Sequence, residues 1–232
     1  MAKNRLRKGN AVVFVWMQTL RYFARNVTQA AVNSTMLQET AQDFPGTEFL
    51  RTRRLVLREL RVADAPQLRR LNADERVSRW LLEQSPTHLV DLAKTIFEAN
   101  RVYRHRPGLG VWHARTHENT FVGLFSLMPI ADSDDIEIGA RLFPNAQGRL
   151  YSVEGSAALC DCAFDILTLP RLIGFCHPQN HAVPAILRRL RFNDDGLTEH
   201  FGKPARRFVL DRANWGRRRA LHAAGVQNMR QA

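Results

Sequence analysis

The chain has 232 residues, of which 45% are hydrophobic and 24% charged, a composition typical of a globular protein with one sizeable core. No apolar run reaches the length that a bilayer-spanning helix needs. The three cysteines lie in apolar patterns and fit neither a disulfide framework nor a zinc site. We therefore expect a reducing compartment, the cytoplasm.

The net charge of +12 is concentrated at the two ends of the chain. Residues 1–38 carry six basic side chains and no acidic one, and residues 203–232 carry eight basic side chains against one acidic. The stretch between them, 39–202, is nearly neutral, with 20 basic and 21 acidic residues. Two interpretations stay open: solvated tails, or electrostatic contact with RNA, the ribosome or an anionic membrane surface.

The first 38 residues have the apolar spacing of an amphipathic helix, with apolar side chains at Val13, Trp16, Leu20, Phe23 and Val27. A basic, acid-free segment of this kind is typical of a signal peptide, an organelle transit peptide or a helix that lies on a membrane. No convincing signal-peptide cleavage site follows it. A fourth interpretation is a true start at Met17 or Met36, with the upstream residues as an extension.

We expect one domain, 48–215, between a basic N-terminal extension, 1–47, and a basic C-terminal tail, 216–232. The domain opens with alternating apolar and charged residues from Arg54 to Leu60, which predict a half-buried strand. Asp64 then stands at the N-cap position of a helix. Further helices are predicted over 77–81 and 89–103, followed by two strands, 111–115 and 120–127, joined by a hairpin turn.

The stretch from Ile136 to Phe192 has the order strand, loop, helix, strand, helix. Its predicted elements are a strand at 136–143, a loop at 144–149, a helix at 151–167, a strand at 171–176 and a helix at 182–190. A loop that enters a helix N-terminus presents backbone amides and the positive end of the helix dipole to an anion. This order therefore suits a phosphate-bearing cofactor. Two closing antiparallel strands are predicted at 196–199 and 205–210.

Four segments of the chain carry a resemblance to a known family: TRRLVLRELRVADAPQL (52–68), IEIGARLFPNAQGR (136–149), HPQNHAVPAILRRLRF (177–192) and RRFVLDRANW (206–215). They resemble the GNAT acyl-CoA N-acyltransferases, in the RimJ/RimL-like branch of ribosomal-protein alanine/serine acetyltransferases. The resemblance covers about 48–215. It implies an α+β fold with a central, mostly antiparallel twisted sheet flanked by helices, to which this chain would add an N-terminal amphipathic helix.

The resemblance also implies acetyl-CoA as co-substrate, no metal, and direct attack by a primary amine, a small molecule or a protein N-terminus. The cofactor would be held by backbone at Arg141, Leu142 and Phe143, by the loop Gln147, Gly148, Arg149, Leu150, Tyr151 and Ser152, and by Asn180. The chain departs from the family pattern at five positions. Leu150 replaces a loop glycine, Ser152 a second small loop residue, Val183 a serine, Leu187 a tyrosine general acid and Arg191 a glycine.

Glu137 is the candidate general base, since it is a carboxylate on a mostly apolar strand, where burial raises the pKa of an acid. An outward-facing strand glutamate is the other interpretation. His177 is the candidate proton donor to the departing thiolate, with His181 and Ser126 as further polar candidates. A second hypothesis from a different class is a catalytically degenerate protein of the same fold, an interaction module whose basic ends contact RNA, ribosome or membrane.

Overall fold

The computed structural model describes residues 46–83, 85–131 and 133–216. The predicted N-terminal helix lies outside these ranges, as does most of the basic C-terminal tail. Within the described ranges, no helix combines the length and the apolar character needed to cross a membrane.

Within the described residues, eight strands form one sheet: β1 (Glu48–Arg51), β2 (Leu55–Glu59), β3 (Gly110–Thr116), β4 (Phe121–Pro129), β5 (Ile136–Leu142), β6 (Arg171–Cys176), β7 (Asn193–His200) and β8 (Lys203–Asp211). Their spatial order is β1-β2-β3-β4-β5-β6-β8-β7. In the described sheet, β5 and β6 are the one parallel pair of neighbours, and every other pair is antiparallel. The predicted mostly antiparallel α+β fold is therefore confirmed.

In the described ranges, the sheet is flanked by the α-helices α1 (Ala65–Ala73), α2 (Glu75–Ser78), α3 (Leu89–His105), α4 (Tyr151–Asp161) and α5 (Ala182–Arg189). α4 continues into a π-helical turn, Cys162–Ile166, so the helix predicted over 151–167 has the predicted extent. Asp64 directly precedes α1, but its carboxylate does not cap that helix. It accepts instead from the Arg58 guanidinium and the Arg61 amide, because a buried carboxylate is better stabilised by a cation.

The two faces of β5 are covered by different parts of the chain, which explains why all seven of its residues are buried. On one face Ala140 lies opposite Phe125 of β4, and α4 packs so closely there that a Cβ on Gly155 would come within 2.4 Å of the Phe125 ring. On the other face Arg141 reaches Asn72 of α1, with an Nη1–Oδ1 distance of 2.7 Å. The strand therefore forms the centre of the core.

A cleft opens between β5 and β6 because the two strands pair over two residues alone within the described sheet. Ile136 pairs with Leu172, and Glu137 pairs with Ile173. Beyond these positions β5 continues to Leu142 and β6 to Cys176 without further pairing. The backbone edges of both strands are thereby left without sheet partners at the centre of the molecule.

Candidate active site

Glu137 lies at the base of the cleft, in the last residue pair before β5 and β6 part. The residue is 1% exposed, which excludes the interpretation of an outward-facing strand glutamate. Its Oε2 atom lies 3.2 Å from Nε2 of His200, at the end of β7. The His200 ring is stacked on Phe175, with 3.8 Å between ring centroids, and also contacts the ring of Phe201.

A small apolar cluster surrounds this pair on the same face of the sheet, formed by Leu82, Ile173, Phe175 and Ala205. Leu82 belongs to the segment between α2 and α3, and the other members belong to β6 and β8. Apolar surroundings exclude water and strengthen the interaction between a carboxylate and its hydrogen-bond donor. The arrangement gives a carboxylate that is shielded from bulk solvent and in contact with His200.

The ladder between β4 and β5 decides which backbone groups of β5 face the cleft. The Phe143 amide donates to the Val122 carbonyl at 3.0 Å. Hydrogen-bonded residues alternate along an antiparallel strand, so Arg141 also bonds to β4, whereas the N–H and C=O of Leu142 point toward the cleft. The Leu142 carbonyl accepts a hydrogen bond from the Gln147 side-chain amide at 3.0 Å.

The loop that enters α4 has the geometry of an anion site. Gly148 and Leu150 both have left-handed backbone, with φ of 76° and 62°, and Arg149 between them is exposed. The Glu154 amide donates to the Leu150 carbonyl, and among the described residues no side chain caps this end of α4. The amides that precede Glu154, including that of the buried Ser152, therefore have no acceptor within the helix.

Arg54, just before β2, fastens this loop to the rest of the domain. Its Nη1 donates to the Arg149 carbonyl at 3.0 Å, and its guanidinium lies 4.7 Å from the centroid of the Tyr151 ring. Its Nε donates to Glu154 at 2.6 Å, and the same carboxylate accepts from the Thr52 hydroxyl. Glu154, in the first turn of α4, is thus neutralised close to where an anion would bind.

His177 and Asn180 follow β6 on the other side of the cleft. The Gln179 amide donates to Nδ1 of His177 at 3.2 Å, so a neutral His177 ring carries its proton on Nε2. Its ring contacts Trp80 edge-on, with 5.8 Å between centroids. Asn180 is fully buried and its Oδ1 accepts from the Ala182 amide, which starts α5.

Glu137 and His177 lie at different depths of the cleft. His177 is four residues beyond Ile173, the partner of Glu137, and a strand rises about 3.3 Å per residue, so roughly 13 Å separates them along the strand. Ser126 is buried opposite Gly139, on the same face as Glu137.

Reasoning from the sequence missed three contributors: His200, Arg54 and Glu83. His200 follows Glu137 by 63 residues, Arg54 precedes Glu154 by 100, and Glu83 precedes its partner Arg141 by 58. No local pattern marks such pairs. One usable signal was an ionisable residue inside an otherwise apolar strand, which applies to Arg141 as it does to Glu137. In the described ranges, no group of three or more His, Cys, Asp or Glu side chains is placed to hold a metal ion.

A mixed sheet that parts beside a buried carboxylate and an uncapped helix N-terminus is the arrangement expected of an acyl-CoA acyltransferase fold. A family model described as acetyltransferase (GNAT) domain matches residues 54–193. The match spans more than half of the chain, and the protein belongs to the GNAT acetyltransferase family.

Solved structures with the same fold include three acetyltransferases. One from Agrobacterium tumefaciens str. C58 is 25% identical, with a TM-score of 0.60 over 72% of this chain and 96% of that chain. The ribosomal L7/L12 α-N-protein acetyltransferase RimL in complex with coenzyme A is 19% identical, with a TM-score of 0.61 over 71% of this chain and 98% of that chain. The ribosomal-protein-S5-alanine acetyltransferase from Vibrio fischeri is 14% identical, with a TM-score of 0.61 over 72% of this chain and 97% of that chain. At these low identities, the similarity to the last two structures shows a shared fold alone.

Proposed function

We propose that this protein is an acetyl-CoA-dependent N-acetyltransferase that acts on a primary amine by direct attack. The observation that carries the proposal is the cleft between β5 and β6, with the buried Glu137 at its base. An uncapped helix N-terminus lies in the loop after β5. Membership of the GNAT family and the coenzyme A complex of the RimL structure support the same assignment.

The residues present fit the cofactor. The amides at the start of α4, with Gly148 and Arg149, offer donors and positive charge to a pyrophosphate. A Cβ added to Gly148 would meet no described atom within 4 Å, so an anion has room to approach the backbone there. The Leu142 backbone faces the cleft, where an extended amide-bearing chain could pair with it as a strand does. Acetyl-CoA would supply the activated acyl group as a thioester.

The proton transfers are assigned to Glu137 and His177. The acceptor nitrogen forms the new C–N bond while the C–S bond of the thioester breaks, and the nitrogen loses one proton to the Glu137 carboxylate. The departing thiolate takes one proton, for which His177 Nε2–H is the donor on the other side of the cleft. Since the nitrogen and the sulfur are attached to the same acyl carbon, and Glu137 and His177 are roughly 13 Å apart along the strand, the proton from His177 would reach the sulfur through water.

For the acceptor we propose a peptide or protein N-terminus as the first candidate. The solved relatives include acetyltransferases named for ribosomal proteins and one named for spermidine and spermine. The buried charges near the cleft favour an acceptor with a single amine, because Glu83 is paired with Arg141 and Glu137 with His200, which leaves neither carboxylate for a second ammonium group. A polyamine would call for several carboxylates.

Calorimetric titration with acetyl-CoA tests the proposal first, and thiol release with a panel of amines tests it second. The panel holds peptides that begin with Ala, Ser or Met, together with spermidine. We expect micromolar to millimolar binding and acetylation of at least one peptide. Glu137→Gln should lower turnover at least a hundredfold, in line with the loss of a general base, and change the acetyl-CoA Kd less than threefold. The control, Glu199→Gln, removes an exposed carboxylate from β7, the strand that also carries His200.

The degenerate-fold hypothesis predicts a different outcome. It is motivated by Leu150 at a glycine position, by Val183 at a serine position, and by Leu187, which is 1% exposed in the core and offers no acidic hydrogen. Binding that is undetectable at millimolar acetyl-CoA would favour it over the enzyme. Contact with RNA through the basic ends would then show as affinity that falls steeply with salt and disappears when 1–38 and 216–232 are removed.

A further inference from the structure

The contact between Glu137 and His200 joins the base of the cleft to the β7–β8 hairpin. The Oε2–Nε2 distance is 3.2 Å, and the two residues are 1% and 9% exposed. The strands that carry them, β5 and β7, are separated in the sheet by β6 and β8. His200 therefore reaches Glu137 from the end of the hairpin and across the face of β6.

The chemistry of the two groups fixes the direction of the hydrogen bond. An ionised carboxylate only accepts, so a neutral His200 must carry its proton on Nε2 and donate it to Glu137. A donated hydrogen bond favours the ionised form of a carboxylate, whereas burial favours the protonated form. A buried carboxylate that has to accept a proton from an amine needs such a donor to remain ionised before the reaction.

The ring of His200 is held in one orientation by its neighbours. Phe175 stacks on it with an interplanar angle of 14°, and Phe201 contacts it at 4.0 Å between centroids. The hairpin turns directly after His200, with positive φ at both Phe201 and Gly202, so the backbone bends back at this position. Packing therefore holds the Nε2–H donor toward Glu137.

We propose that His200 is the positioning residue of the Glu137 base, holding its carboxylate in the orientation and the charge state that proton removal requires. This inference rests on the proposed acetyltransferase function, in which Glu137 accepts the proton of the acceptor amine. It assigns to the β7–β8 hairpin a part in catalysis as well as in the sheet.

The first test needs no substrate. Imidazole ¹⁵N NMR of the full chain distinguishes the protonated from the unprotonated ring nitrogen of each histidine. We expect a protonated Nε2 in His200 and a change in its resonance in Glu137→Gln. His113 is the internal control: it is also buried and bonded through Nε2, but to Gln67, and its resonances should stay unchanged. An Nδ1–H tautomer in His200, or no response to Glu137→Gln, overturns the proposal.

The second test compares two replacements of His200 in the peptide acetylation assay. His200→Leu keeps the bulk and removes the donor, and should lower kcat at least tenfold while the acetyl-CoA Kd changes less than twofold. His200→Gln keeps an N–H donor and should retain a third or more of kcat. His113→Gln, a buried histidine replaced two strands away from β5, should leave kcat within twofold. Thermal melting establishes that each variant is folded.

The outcomes separate this inference from the function on which it rests. Equal losses in His200→Leu and His200→Gln would show that packing alone matters and would overturn the positioning role, as would an unchanged kcat in His200→Leu. A chain with the expected NMR pattern that acetylates none of the amines overturns the proposed function, and the catalytic part of this inference with it. An active enzyme without the NMR pattern overturns the inference alone.

Discussion

Arg141 and Glu83 form a salt bridge that is almost completely shielded from solvent, with an Nη2–Oε1 distance of 3.3 Å and side chains 1% and 0% exposed. Nη1 of the same guanidinium donates to Asn72 at 2.7 Å and to Ser85 at 2.9 Å. Arg141 thus ties the segment between α2 and α3 to the strand that forms one side of the cleft.

Removal of one partner of this pair should be costly. Glu83→Gln leaves the Arg141 guanidinium buried without its carboxylate, and Arg141→Met leaves the carboxylate without its cation. Either change should lower the free energy of unfolding by about 3–5 kcal/mol, measured by urea denaturation. The double variant, Arg141→Met with Glu83→Leu, should be more stable than either single variant, because it leaves no isolated buried charge. Additive losses in the double variant would contradict a direct coupling.

The Arg54–Glu154 pair should control the affinity for acetyl-CoA. Arg54→Ala leaves the Glu154 carboxylate unneutralised in the first turn of α4, where it would repel a pyrophosphate, and should raise the Kd roughly tenfold. Glu154→Gln removes the carboxylate itself and should change the Kd less than threefold. Titration at low and high salt checks the electrostatic origin, since added salt should reduce the Arg54→Ala effect.

Arg53→Ala is the matched control, because it deletes the same charge from an exposed neighbouring side chain. It should change the Kd less than twofold. Equal weakening in Arg53→Ala and Arg54→Ala would attribute the effect to overall charge, and the specific contacts of Arg54 would then be irrelevant.

The elements around the cleft could be predicted because their sequence patterns are local. The strands predicted at 136–143 and 171–176 are observed as Ile136–Leu142 and Arg171–Cys176. β1, Glu48–Arg51, was missed because it is a four-residue edge strand, half-exposed on average, with no run of apolar residues to mark it. β7 begins three residues before its predicted start. Those residues are polar and carry no strand pattern, and they are in a strand because they pair with β8.

The site was predictable only as far as its residues are close together in the sequence. Glu137 and the 147–152 loop could be found from their place in one continuous stretch. The partners of the buried charges, His200 for Glu137 and Glu83 for Arg141, could not, since one lies at the end of a distant strand and the other in a distant connecting segment. Such pairs are set by the way the sheet brings the ends of different elements together, and their side chains follow no period along the chain.

Leu150 has a left-handed backbone conformation, φ 62°, although it is not a glycine, and its side chain is 48% exposed. This conformation costs a residue with a Cβ about 1–2 kcal/mol. Leu150→Gly relieves that cost, whereas Leu150→Ala keeps it. The glycine variant should therefore be more stable than the alanine variant by about 1 kcal/mol in urea denaturation, after allowance for the greater freedom of glycine in the unfolded chain.

The same pair of variants tests the cofactor loop. Leu150→Gly should bind acetyl-CoA as tightly as the natural chain or more tightly, because the backbone keeps its conformation and loses the bulk beside the helix amides. Marked weakening in the glycine variant, with the alanine variant unaffected, would mean that the loop 147–152 is not the phosphate site.

The buried His113 should make stability depend on pH. Burial lowers its pKa to about 4, an effect that the nearby Asp64 carboxylate opposes and that the Arg58 and Arg115 cations reinforce. Its Nε2 lies 2.8 Å from the Gln67 side-chain oxygen, to which it donates, and the lowered pKa keeps the ring neutral in the folded protein at neutral pH. The unfolded chain binds a proton near pH 6.5, whereas the folded chain binds it only near pH 4. The neutral His113 ring therefore contributes fully to the free energy of unfolding above pH 6.5, and this contribution is lost as the pH falls toward 4.

Protonation of His113 should lower the free energy of unfolding by about 3 kcal/mol between pH 6.5 and pH 4. Urea denaturation between pH 7 and pH 4 measures it as the difference between the natural chain and His113→Gln, which keeps an N–H donor for Gln67 and does not titrate. Asp64 does not obscure the comparison. Burial raises the pKa of its carboxyl, but the hydrogen bonds from Arg58 and Arg61 and the charges of His113 and Arg58 together lower it below 3.8, so the contribution of Asp64 is lost only at more acidic pH. Parallel stability curves for the two proteins between pH 6.5 and pH 4 would show that His113 is protonated as readily in the folded chain as in the unfolded one.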